Sequence, residues 1–201
     1  MKRLLLAAAA ALLLTACADG GQSPAAPASP RFSSGDEWMI FPETMTPAET
    51  GTSTSSWEVA TRFKASVPGC ITKIHFYRAY GETGDNVVKL WTNSGTLLFS
   101  ETIAHGITAG PGGYWLDFDL TPLVGPAPGN RDICIQPNTY YRVSVNTNSK
   151  QAKTYAYFTN NGPIVRGPLT ADYSYYGQPA GSMPTQGSGS IYFIGVTFVE
   201  S

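Results

Sequence analysis

The chain has 201 residues, with 13 Lys and Arg against 14 Asp and Glu, for a net charge of −1. Charged residues make up only 13 % and form no basic surplus, which argues against nucleic acid or an anionic lipid surface as a partner. The 21 Gly and 15 Pro, with abundant Ser, Thr and Tyr, describe an exported, turn-rich all-β protein.

In chain order, Lys2 and Arg3 precede an apolar run from Leu4 to Leu14. This is the layout of a secretory signal peptide, and the run is too short to span a bilayer. Leu14-Thr15-Ala16-Cys17 resembles the lipobox of bacterial lipoproteins. That resemblance implies cleavage after residue 16, acylation of Cys17 and anchoring to the membrane of the cell envelope. Several acyl chains on one residue exceed the two-signal threshold for a stable anchor. Ala18 rather than Asp follows the cysteine, which in a Gram-negative source implies the outer membrane. An ordinary cleaved signal with a chance cysteine is the alternative. Residues 17–34 are then a lipidated cysteine and a tether, because their Ala, Pro, Gly and Ser carry too little apolar bulk to offset ordering entropy. Residues 35–201 are expected to form one domain.

Beyond the signal no helical period is present. Runs of β-branched and aromatic residues recur instead, broken by Gly, Pro and Asn. The expected strands are 37–41, 57–65, 71–79, 87–92, 96–104, 114–120, 140–147, 154–159 and 191–199. Asn93-Ser94-Gly95 joins two of them as a hairpin turn with glycine where a positive φ is wanted. The last strand is apolar on both faces, as a central strand should be. Eight or nine antiparallel strands with turn signals between them describe a β-sandwich of the jelly-roll type.

With Cys17 committed to lipid, Cys70 and Cys134 remain, an even number in an oxidising compartment. They are expected to be bonded, closing a loop worth ~4 kcal/mol on the chain-entropy model. Two separate buried thiols are the alternative, since spacing does not prove pairing.

The stretch 62–104 resembles the bacterial domain-of-unknown-function family 4082. Its carriers are Arg62 to Ser66, Phe76 to Arg78, the loop Gly81 to Gly84, Leu90-Trp91 and Gly95 to Leu98. Thr121-Pro122, the strand Tyr140 to Val145 and the closing YFIGVTF continue the likeness over roughly residues 37 to 200. The resemblance implies an exported adhesive or sugar-binding module without an assigned catalytic constellation. Two departures stand out. Asp85-Asn86 occupies the place of a frequent Thr-His pair, and residues 124–132 form an extra loop that ends just before Cys134.

Candidate chemistry is sparse. Asp117 and Asp119 share one strand face with Cα atoms ~6.8 Å apart, a spacing compatible with glycosidase carboxylates, but a solvent face explains them better. Glu82, Asp85 and Asn86 offer hard oxygen ligands in a Gly-bracketed loop, yet the DxDxDG spacing of a calcium loop is missing. His75 and His105 have no third zinc ligand in view, and Gly81 to Gly84 lacks a phosphate-loop ending. No metal, cofactor or catalytic residue is therefore expected. Aromatic residues are the abundant functional material. Tyr80 beside the Gly loop and Tyr173, Tyr175 and Tyr176 in a late loop (171–184) are expected to converge at one end of the sandwich. Asp85 and Asn86 would be their polar partners, forming a weak platform for a glycan or a surface protein.

Overall fold

The computed structural model describes residues 36–105, 112–120 and 133–201. Cys17 with its flanking signal and tether, and the extra loop 124–132, lie outside the described residues. The first half of the fold holds β1 (Glu37–Met39), β2 (Glu49–Thr52), β3 (Trp57–Ala65), β4 (Gly69–Arg78), β5 (Asn86–Thr92), β6 (Leu97–Ile103) and β7 (Tyr114–Asp119). The second holds β8 (Ile133–Ile135), β9 (Tyr141–Thr147), β10 (Lys150–Lys153), α1 (Tyr157–Asn161), β11 (Ile164–Arg166), β12 (Leu169–Gly177), β13 (Gln186–Ser188) and β14 (Ile194–Glu200).

Every pairing is antiparallel, and the chain is an all-β sandwich. One sheet runs β1-β14-β4-β7, with β8 also on β4; the other runs β11-β12-β3-β9-β5-β6, with β13 also on β12; β2 and β10 form a separate ribbon. The alternation of β3 shows how the layers arise. Val59, Thr61, Phe63 and Ala65 turn inward, fully buried, while Glu58, Arg62 and Lys64 turn to the outer face. Opposite them Ile71, Ile74 and Phe76 of β4 and Val196 and Phe198 of β14 complete the core. Truncating such a side chain to Ala costs about 2–5 kcal/mol. The central position expected for the last strand holds, because β14 lies between β1 and β4 and is buried on both faces. Gly95 of the β5–β6 turn has φ 102°, as the hairpin reading requires.

Cys70 and Cys134 are directly opposed in the β4–β8 pair and are bonded, with Cα atoms 3.8 Å apart. The disulfide thus fastens a three-residue strand to the edge of the sheet, and the reading of two separate thiols falls.

Two expectations are corrected. Residues 154–159 are not a strand: only Thr154 bridges Ile191, after which Ala156 takes a left-handed conformation (φ 52°) and α1 begins. The first half of the late loop is not a loop, because residues 171–177 belong to β12, which pairs with β3 from Glu58 to Ala65. Its inward positions are Ala171, Ser174 and Tyr176 rather than aliphatic side chains, so the apolar alternation that marks a strand is faint there. The strand number rises from eight or nine to fourteen among the described residues, mostly through pieces of three or four residues.

Candidate functional site

The residues expected to converge occupy three separate places. Tyr80 is 56 % exposed in the loop between β4 and β5. In that loop Asp85 Oδ1 accepts from the His105 N–H at 2.8 Å, and its carbonyl accepts from Asn148 Nδ2 at 2.9 Å. Asn86 is buried, with Nδ2 donating to the Asn146 carbonyl at 2.8 Å. Tyr173 and Tyr175 lie on the outer face of the larger sheet, and Tyr176 on its inner face against Trp57, with ring centroids 5.8 Å apart. β12 and β5 are three strand spacings apart in the sheet order, about 14 Å. The expected platform therefore does not assemble.

The Gly-bracketed loop has a different purpose. The Glu82 carboxylate turns inward and accepts the backbone N–H groups of Asn148, Ser149 and Lys150 at 2.6, 3.0 and 2.5 Å. A carboxylate saturated by three backbone donors pins this loop to the β9–β10 turn and has little left to offer a cation. The GETG motif is explained by this clamp.

On the outer face of the larger sheet the polar side chains are covered. Lys89 Nζ donates to both oxygens of Glu58 at 3.0 Å, Ser144 Oγ donates to Glu58 Oε1 at 2.5 Å and Trp91 Nε1 donates to Ser144 Oγ at 2.8 Å. Residues 178–185, between β12 and β13, fold over this network. The Gly181 N–H reaches Glu58 Oε2 at 2.8 Å, and Arg142 Nη1 donates to the Pro184 carbonyl at 2.8 Å. Beside it, Arg142 stacks on Tyr175 at 3.7 Å and Arg62 on Tyr140 at 4.5 Å. Asp172, left over in a β-bulge of β12, takes a two-point contact from Arg62 at 2.9 and 3.0 Å and a hydrogen bond from the Tyr140 hydroxyl at 2.8 Å. Arg62 stays protonated: burial pulls its pKa down, but Asp172 more than compensates. Tyr173 and Tyr175 are thus engaged in a brace across the sheet.

A recess opens beside α1. It is a cleft of about 350 Å³ lined by residues of β10, α1, β12 and β13 and of the linkers before α1 and β14, and it contains Tyr155, Tyr176 and Tyr192. Its walls are held by backbone exchange. Thr154 and Ile191 trade two hydrogen bonds at 3.0 Å, the Phe158 N–H reaches the Gly189 carbonyl at 2.6 Å and the Ala156 N–H reaches Ser190 Oγ at 3.2 Å. The Tyr192 hydroxyl donates to Ser188 Oγ at 3.2 Å. Burial pushes the Tyr192 phenol up, opposed by that hydrogen bond, so it remains a neutral donor. Tyr155, 73 % exposed, stands at the rim and presents its ring. Gln151, Lys153, Thr159, Ser188 and Ser190 supply the polar groups. Of the residues picked out from the sequence only Tyr176 lines this cleft. Tyr155 was hidden in a segment read as an ordinary strand, and the serines in a stretch without any pattern; Tyr192 was legible only as part of YFIGVTF.

Fold and site together define an antiparallel β-sandwich with a tyrosine-lined, polar recess on one flank. The chain matches the family described as Domain of unknown function (DUF4082) over residues 44–194, and it belongs to that family. A comparison with curated proteins gives no match.

Proposed function

We propose that the protein is a non-catalytic module of the bacterial cell envelope, anchored by lipid on Cys17, that binds carbohydrate through the cleft of Tyr155, Tyr176 and Tyr192. The cleft carries the reading. Its volume of about 350 Å³ falls at the lower end of small-molecule sites, and flat rings with polar tips among hydroxyl and amide groups suit the two faces of a sugar. Among the described residues no Asp or Glu lines it, so the two-carboxylate hydrolysis of a glycosidase finds no donor or nucleophile among them. Asp119, one of the pair weighed for hydrolysis, sits on β7 with Lys73 Nζ at 3.9 Å, which suits an exposed charge lattice.

The signal segment and the lipobox-like Cys17 support export and anchoring, to the outer membrane in a Gram-negative source. The Cys70–Cys134 bond fits an oxidising compartment. One or two stacked rings contribute about 1 kcal/mol each, so a single copy binds weakly and many anchored copies bind by avidity.

The decisive experiment is a glycan and envelope-polymer screen on the purified protein, with Tyr155→Ala as the control. Because Tyr155 is exposed, its loss should weaken binding about fivefold or more while the melting temperature stays within about a degree. Absence of any glycan binding would favour a structural envelope protein or one that engages a surface protein. Turnover of a glycoside substrate would overturn the non-catalytic reading. Palmitate incorporation that persists in Cys17→Ala would overturn the anchor.

A further inference from the structure

We infer that the cleft selects a saccharide bearing an anionic group, a carboxylate or a sulfate, and that Lys153 is the selecting residue; this rests on the carbohydrate reading above. Among the described residues the lining supplies hydroxyls, one side-chain amide and one ammonium, and no Asp or Glu. A neutral sugar leaves that single charge without a partner in the site, whereas an anionic one neutralises it.

Lys153 has room to respond. Its ion-pair partner, Glu49, lies at 3.9 Å, and the Glu49 side chain is 46 % exposed. A pair at that distance and exposure is worth ~0–1 kcal/mol, so a ligand anion can displace it. Lys153 Nζ also lies 5.8 Å from the ring centroid of Tyr155. Nζ lies over that ring, so a pyranose that takes the face exchanges this exposed cation–π contact for one between its own anionic substituent and the ammonium. A charge-assisted hydrogen bond from Nζ to a carboxylate or sulfate oxygen is roughly twice as strong as a neutral one, enough to set preference between otherwise equal rings. The remaining contacts, from Gln151, Ser188 and Ser190, suit ring hydroxyls whatever the charge. Lys153 therefore sets which sugar binds, and Tyr155 how tightly.

The test titrates the purified full-length protein with three probes: a galacturonic acid oligomer, a sulfated galactan oligomer and a neutral galactan oligomer, each at low and high salt. Anionic oligomers should bind at least about tenfold more tightly than the neutral one, and salt should shrink that ratio. Lys153→Gln should abolish the preference and Lys153→Arg should keep it. Glu49→Gln, which removes the competing carboxylate, should tighten anion binding without touching the cleft's own residues. The arm that binds, carboxylated or sulfated, names the source of the anion. Equal affinities for anionic and neutral oligomers, or a preference that survives Lys153→Gln in a variant with an unchanged circular dichroism spectrum, overturns this inference while carbohydrate binding stands. Binding of no oligomer, with Tyr155→Ala indistinguishable from the parent, overturns both.

Discussion

On the outer face of the five-stranded sheet, His75 is buried against Trp115 and Gly195 beneath the segment that carries Phe41, and neither of its ring nitrogens has a hydrogen-bond partner. On the outer face of the seven-stranded sheet, Glu58 is equally buried, yet its two oxygens accept from Lys89, Ser144 and Gly181. Both sheets are covered on the side away from the core, one by an aromatic layer and the other by a hydrogen-bonded polar layer under residues 178–185. The difference shows two ways of burying a titratable group. His75 surrenders its charge, its pKa pushed down to about 3 chiefly by burial and secondarily by Lys73. Glu58 and Lys89 cover the cost of desolvation with each other and with neutral donors.

The largest loss of stability is expected where a charge is stranded. Glu58→Ala leaves Lys89 buried without its partner and should cost about 3–5 kcal/mol, read from urea unfolding. Replacing both by apolar residues, Glu58→Leu with Lys89→Met, should recover most of that loss. A double variant as unstable as the single one would show that the network does more than compensate its own burial.

The five-stranded sheet has a covalent fastening that the other lacks among the described residues. Removing it with Cys70→Ala and Cys134→Ala, which are 64 positions apart, should cost about 4 kcal/mol by the same denaturant measurement. A loss near zero would mean that β8 holds its place on β4 without the bond.

A pH titration of stability sharpens the contrast. The folded-state pKa of His75 lies below that of the unfolded chain, so the unfolded state takes up the proton first as pH falls. The contribution of His75 is complete above about pH 6.5 and is lost toward pH 3, at up to about 1.4 kcal/mol per pH unit. His75→Leu should differ little from the parent at pH 7 and be more stable by about 3 kcal/mol at pH 4, measured by thermal melts across that range. Parallel pH curves for the two proteins would mean that the ring is hydrogen-bonded after all.

The smallest effect belongs to the brace of rings and guanidinium groups. Tyr175→Leu keeps the apolar contact but removes the face that Arg142 covers at 3.7 Å, and should cost about 1 kcal/mol without altering binding in the cleft. A change in glycan affinity would tie this face to the ligand.

The family, the sandwich and the disulfide were all legible in the chain. The strands 57–65, 87–92 and 140–147 announced themselves because Val59 and Phe63, Val88 and Leu90, and Val143 and Val145 recur at inward positions, and a two-residue period survives without tertiary help. Cys70 and Cys134 were legible by count, although only the β4–β8 pairing made them neighbours. The tyrosines were legible as material but not as a site. Tyr173, Tyr175 and Tyr176 alternate along β12, and the partner strand sends two to the outer face and one inward, which no local rule announces when the intervening residue is Ser174. The cleft is further still from the sequence, since Thr154 meets Ile191 across 37 positions and Phe158 meets Gly189 across 31. Such contacts depend on how two linkers cross, and they are made by backbone groups, which carry no side-chain signal to announce the meeting. What the chain determined alone was the period of its strands and the chemistry it could offer; which of those side chains share a recess was decided by sheet order.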